Sequence, residues 1–449
     1  MKNRIRAIYC FFVLQMIVLL SSGQETPYNP ARSYSADQLK ADLQFLNTKL
    51  DSIHPNLYHY TTKDKFNSFL DSLNRAIIGP MQEQEFLGLI SLLNEKICDG
   101  HTMLLPSEQS MAYNGTQGRF LPFSVVYIKG KLYITENNST DNSIQPGAII
   151  TSINGKETSA IVAQLLKRQI RDGRNQTYPL WILNHYFGAY YSYAFGQSAT
   201  FSMDLTGSDG KLIHKEVAAL TRDSIRLLRQ QKQSVQTGEA RGIILEEKPA
   251  TKTAVLTIKS FDTSLLQSVY KQSFQPVTDS VFRQLKLHGI RSLLLDLRDN
   301  QGGDFEPGRQ LLSYLITAPT SYLLGGKEAK LLQPQSNHFS GSLFVLINGG
   351  SFSNSAIVSA CLENRKQTTF IGEESGGNKF LIFGEATDVV LPHTKIQAYI
   401  STETFRINRQ SGDHGIIPRH VVQPSITDLL RGNDPVKALA LKLMTGQEK

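Results

Sequence analysis

Between Phe344 and Phe380 the chain reads FVLINGGSFSNSAIVSACLENRKQTTFIGEESGGNKF, and this stretch constrains the fold more than any other. An apolar run ends in Asn348-Gly349-Gly350, and a periodic run follows in which Ile357, Ala360, Cys361 and Asn364 share one helical face. The pattern predicts a strand that feeds a helix through a tight glycine turn. Ser351, Ser353 and Ser355 sit in or just after that turn, where a hydroxyl can stand clear of the sheet with a helix N-terminus behind it. Such a place suits a nucleophile, although any one of these serines also fits as a helix N-cap.

The last two hundred residues alternate strand and helix around this unit. TAVLTIKSF reads as a strand, the segment around Ser268 to Leu287 as a helix, and SLLLDLRDN as a buried strand leading into Gln301-Gly302-Gly303. Further strands are expected around Thr368 to Ile371, Ala386 to Leu391 and Lys395 to Ile400. Strands alternating with crossover helices predict a mostly parallel sheet covered by helices, with the chemistry at its strand ends.

The remaining segments follow other patterns. MKNRIRAIYCFFVLQMIVLLSSG has three basic residues, an apolar run to about Leu20 and small residues at a cleavage-type spacing, so residues 1–23 read as a signal peptide. An uncleaved anchor is the alternative, but the run is short for a spanning helix. Three helical stripes come next: Leu39, Leu43, Leu46, Leu50 and Ile53 after a Ser35…Gln38 capping box, then Phe66 to Ile77, then Phe86 to Ile97 with Gly100 as its stop. His101 stands just past that glycine, in ICDGHTML, where it reads alone as a turn histidine bonded to backbone. From about Phe120 the pattern is of strands and an Asn154-Gly155 turn, followed by an aromatic cluster from Tyr178 to Phe195 that fits a packed face or a substrate wall. Residues 222–253 are polar and read as a linker or exposed helix.

Charge and cysteine content exclude several classes. Formal charge is +8, and without Lys2, Arg4 and Arg6 it is +5, with no basic block or basic aromatic stripe to bind nucleic acid. Beyond Cys10 the chain has only Cys98 and Cys361, which can stay free or form one bridge. No zinc-type motif occurs, and neither a metal nor an organic cofactor is called for.

Three ordered motifs resemble one family, the serine peptidases that include the C-terminal processing (tail-specific) proteases and the tricorn core. They are D-x-R-x-N-x-G-G from Asp296 to Gly303, N-G-G-S-x-S from Asn348 to Ser353, and I-G-E-E-S-G-G-N from Ile371 to Asn378. SIQPGAIITSINGKE resembles part of the PDZ-like domain these proteins carry. The resemblance implies an α/β, crotonase-like catalytic core over residues 254–449, a PDZ-like β-rich domain over 116–221, an N-terminal helical domain over 24–115 and a linker over 222–253. It also implies Ser353 as nucleophile and backbone N–H donors at Gly302 or Gly303 and at Asn354 as the oxyanion hole. The lysine base of the processing proteases would fall at Asn378, with Lys379 adjacent; in the tricorn-like branch the base is a histidine, here His101, oriented by a carboxylate whose nearest counterpart is Asp413. Valine at Gly302 or Gly303 should then harm catalysis more than folding.

The expectation is therefore an exported bacterial serine endopeptidase, periplasmic or extracellular. It would act on unfolded or C-terminally exposed polypeptides, need no cofactor and have no stable membrane span. A catalytically inactive peptide- or ligand-binding protein on the same fold is the alternative.

Overall fold

The computed structural model describes residues 28–207, 210–232 and 240–446, so the expected signal peptide lies outside the described residues. At the centre is a six-stranded sheet in the order Ile243–Lys248, Thr253–Ile258, Ser292–Asp296, Ser342–Ile347, Thr368–Gly372, His420–Val421. Its pairs are parallel except the first. Alternate residues of a strand face opposite sides, and both sides here are apolar. Leu293, Leu295 and Val345 join the core under the helices Phe274–Leu287, Phe305–Leu315 and Asn354–Glu363, while Leu294, Leu346 and Ile371 pack against the C-terminal helix Pro435–Met444.

Two sequence expectations are corrected. Residues 243–248 are no linker but the antiparallel edge strand of this sheet, because Ile243 and Leu245 alternate with outward residues. The strands Leu381–Val390 and Gln397–Arg406 leave the main sheet to form a three-stranded antiparallel sheet with Met103–Leu105. Val389, Ala398 and Ile400 are buried under the N-terminal helices, which gives this second sheet its own core.

The N-terminal helix Ala36–Ile53 starts at the Ser35 capping box and carries Leu39, Leu43, Leu46 and Leu50 into that core. The PDZ-like part is an antiparallel sheet, Phe123–Ile128 to Leu212–Ala218, closed by the helix Thr158–Lys167. The aromatic helix Thr177–Phe195 joins two bodies: Leu183, Phe187 and Tyr191 fill the PDZ-like core, whereas Tyr178, Trp181 and Ile182 pack with Phe352. Cys98 and Cys361 are buried and free, so the single bridge is not made. No described helix is long and apolar enough to cross a membrane.

Asp42 ties the N-terminal helix to the second sheet. Fully buried, it accepts from the His393 and Thr394 N–H groups (2.9 and 2.8 Å) and from the Thr394 hydroxyl (2.6 Å). Asp42→Ala leaves both amides without an acceptor. The expected cost is roughly 2–3 kcal/mol, read as a lower denaturation midpoint.

Candidate active site

Ser353 is positioned by strain rather than by capping. It stands at the N-cap of the helix Asn354–Glu363, yet its φ of 53° and ψ of −124° lie outside the extended conformation of an ordinary N-cap, and its hydroxyl makes no cap hydrogen bond. A non-glycine residue at such a φ costs on the order of 1–3 kcal/mol and persists only where its surroundings over-determine it. Those surroundings are visible on both sides. The Ser351 hydroxyl donates to Leu297 O (2.8 Å) and accepts from Asn348 N–H (3.1 Å), stapling the turn, and the Asn354 side chain is gripped by the Tyr322 hydroxyl and the Asp304 carbonyl. The capping role suggested for a serine in this turn is thus not that of Ser353.

His101 arrives from 252 residues earlier in the chain, with Nε2 3.0 Å from Ser353 Oγ. The strand that follows fixes it, since Met103–Leu105 pairs with the distant strand Gln397–Arg406. The helix before it stops at Cys98, whose φ of 56° is the left-handed turn expected at Gly100. Gly100 is needed for a different reason: a Cβ there would lie 2.5 Å from the Phe352 ring. That close approach lets Phe352 stack on the imidazole (centroids 4.8 Å, 25°) and Tyr178 stack behind Phe352 (4.0 Å, 6°). Trp181 continues the wall and donates its Nε1–H to Asp299 (2.7 Å). Part of the aromatic cluster is therefore the backing of this site.

The carboxylate beside the imidazole is Asp99, which sequence reasoning passed over. Its Oδ1 is 3.9 Å from His101 Nδ1, an ion-pair distance too long for a hydrogen bond, and accepts the His101 backbone N–H at 2.8 Å. Its Oδ2 accepts from His54 Nε2 (3.2 Å), Thr102 Oγ1 (2.6 Å) and Ser401 Oγ (2.6 Å). Asp413 meets the chain elsewhere: its carbonyl accepts from Arg174 N–H (2.7 Å). Lys379 is also directed away, its ammonium 2.8 Å from Glu363. The signal for Asp99 lay in the motif itself, two residues before His101; nothing local marked His54 or Asp172.

Burial pushes the Asp99 carboxyl up, but the hydrogen bond from His54, the positive potential of His54 and His101 and the Ser401 hydroxyl outweigh it and hold it at about 2. Burial also lowers His101 below its usual range, with Asp99 opposing. Asp172 is raised to about 8 by burial and by the charge of Asp99, against hydrogen bonds from Gly100 N–H (2.9 Å) and Asn378 N–H (3.3 Å). Asp99, His101 and Asp172 offer donor atoms within 4.8 Å of one another, a spacing a metal could use. N–H and O–H groups of the protein are already aimed at both carboxyls.

Of the glycine turn, Gly302 N–H donates to Asn300 Oδ1 (2.9 Å) and serves the turn. Gly303 N–H and Asn354 N–H have no acceptor among the described residues. All of this opens on a cavity of about 2110 Å³, whose walls include His101, Ser353, Gly303, Tyr186, Phe383 and Phe405.

Valine at the Gly-Gly turn, expected to harm catalysis more than folding, would carry a folding cost as well. At Gly303, φ is 133° and a Cβ would lie 2.1 Å from Asp262 N, a backbone atom that cannot yield cheaply. Gly303→Ala should lose activity and also at least about 2 kcal/mol of stability, seen as a parallel fall in unfolding midpoint.

No curated protein matches the chain. Among solved structures, mature CPAF superposes with a TM-score of 0.61 at 12% identity, covering 92% of this chain and 99% of that one. A CPAF point mutant gives 0.65 at 12% identity, covering 91% and 97%. These likenesses are in fold alone. The photosystem II D1 C-terminal processing protease is a more distant match, with a TM-score of 0.44 at 15% identity over 88% and 96%. The likeness in sequence is local: residues 252–422, which carry both the Asp296–Gly303 turn and Ser353, match the model of peptidase family S41.

Proposed function

We propose that this chain is an exported serine endopeptidase in which Ser353 is the nucleophile and His101 the general base and acid. The observation that carries the reading is the 3.0 Å contact between His101 Nε2 and the Ser353 hydroxyl, made to a serine held at positive φ and kept from capping its helix. His101 Nε2 takes the hydroxyl proton as Oγ attacks the scissile carbonyl, and the imidazolium so formed is stabilised by the Asp99 charge 3.9 Å away. The developing oxyanion takes N–H bonds from Asn354, next to the nucleophile, and from Gly303, on the wall of the same cavity. As the tetrahedral species collapses, His101 returns the proton to the leaving amine. Water then attacks the acyl-enzyme by the same route and frees Ser353.

The substrate class follows from access. Ser353 is only 6% exposed and lies inside the cavity, so a folded protein surface does not reach it and an extended segment does. The helix Thr177–Phe195, which runs from the PDZ-like core to the aromatic backing of His101, supports capture of an exposed chain end by that domain. Export to the periplasm or beyond rests on the signal-type sequence of residues 1–23.

A fluorophosphonate that phosphonylates active-site serines tests the core of this reading. Wild-type protein should label on Ser353, Ser353→Ala and His101→Ala should not, and Lys379→Ala should keep most of the rate. Ser353→Ala should stay within roughly 1 kcal/mol of wild-type stability, since the site is a turn. An unlabelled wild type would favour the inactive binding protein.

The pH dependence has a definite sign. Because burial lowers His101, its reactive neutral form is present down to lower pH, so the acid limb should have its midpoint below about 6.5 and level above it. Labelling that rises only above pH 7 would point to a lysine base instead.

A further inference from the structure

We propose that His54 is a positioning residue for this chemistry, holding the Asp99 carboxylate in place beside His101 from the opposite side. The inference rests on the Ser353 and His101 reading above. His54 ends the first helix, 47 residues before His101 and outside the S41-matching segment, and its side chain is wholly buried. Its Nδ1 accepts the Asn56 N–H (3.2 Å), which assigns the ring proton to Nε2, and that N–H donates to Asp99 Oδ2 (3.2 Å). The Phe383 ring meets the imidazole edge-on at 4.7 Å, so its plane is fixed by packing as well. One carboxylate thus lies between two imidazoles: Oδ2 faces His54, and Oδ1 faces His101.

Asp99 cannot orient His101 through a direct ring hydrogen bond at 3.9 Å, so its contribution is a fixed negative charge. Such a charge acts only while the group stays ionised in a buried place, and burial opposes that. The repulsion between the two neighbouring carboxyls falls on Asp172, which burial and the Asp99 charge raise to about 8. The other titratable groups around the pair are Tyr60, Cys98 and Asp413, with Arg174 beyond Cys98, at 3.8 Å from its sulfur. None of these donates to Asp99. The N–H and O–H groups of His54, Thr102, Ser401 and the His101 backbone do, and among them only His54 comes from the end of the helix Ala36–Ile53.

With the His54 donor gone, Asp99 is less firmly ionised, and His101 loses part of the Asp99 charge that opposes the effect of its burial. The acid limb then moves to lower pH, and the plateau rate falls because the imidazolium is less stabilised. The test measures the pH dependence of fluorophosphonate labelling in the full chain. His54→Phe should label on the order of tenfold more slowly at the plateau, the rate equivalent of one hydrogen bond to a charged group. Its acid midpoint should be lower, and His54→Gln, which keeps an N–H donor, should recover most of both. A purely structural role would lower stability without moving the midpoint. An unchanged midpoint and plateau in His54→Phe overturn the proposal. Should that variant not fold, Ser401→Ala decides, since it removes a donor from the same carboxylate oxygen at little cost in packing; the same downward shift supports the proposal and its absence overturns it. Labelling that survives Ser353→Ala would instead mark the underlying reading as the one at fault.

Discussion

The rest of the structure depends on the buried Asp99 carboxylate. It is reached from three separate elements: the end of the first helix through His54, its own turn through His101 and Thr102, and the strand Gln397–Arg406 through Ser401. An ionised group is tolerated inside a protein only when its lone pairs are met, so these elements must come together in one arrangement or the charge is left uncompensated. That arrangement is also the one that sets His101 against Ser353. Folding of the N-terminal part and formation of the site are therefore coupled by the same interaction.

Ser353 shows the complementary use of strain. The positive φ that removes its hydroxyl from capping is held by the Ser351 staple, by Asn354 gripped from Tyr322 and Asp304, and by the close approach of Gly302, where a Cβ would sit 2.7 Å from Asn354 N. Backbone strain of this kind is set by tight packing of the turn against a second strand end. The Gly-Gly turn serves that packing first: Gly302 N–H is committed to Asn300, and Gly303 lies against the Phe261–Asp262 backbone. What is left over is the Gly303 and Asn354 amides, which have no acceptor among the described residues.

The aromatic helix connects the β-rich part to this centre. Its N-terminal end stacks behind His101 through Tyr178 and Phe352, and its later turns are core of the PDZ-like sheet. The helix breaks at Tyr186 (φ −132°, ψ 25°), between the end that backs the imidazole and the turns that fill the PDZ-like core.

Sequence by itself determined the parts whose signals are local. The alternation of apolar runs with Gly-Gly turns marked the strand ends, the helical stripes marked the N-terminal layer, and Ser353 and His101 each stood at a break in the pattern. Motif order added the family. What only the tertiary structure decided is the set of contacts across long separations: Asp99 rather than Asp413 beside the imidazole, Lys379 drawn off to Glu363, Gly100 spared a side chain for the sake of Phe352, and two late strands diverted to a second sheet with Met103–Leu105. The physical reason is that a carboxylate's partners are chosen by burial and by donors arriving from elsewhere in the fold. His54 and Ser401 lie 45 and 302 residues from Asp99, and no periodicity or spacing along the chain encodes that they meet.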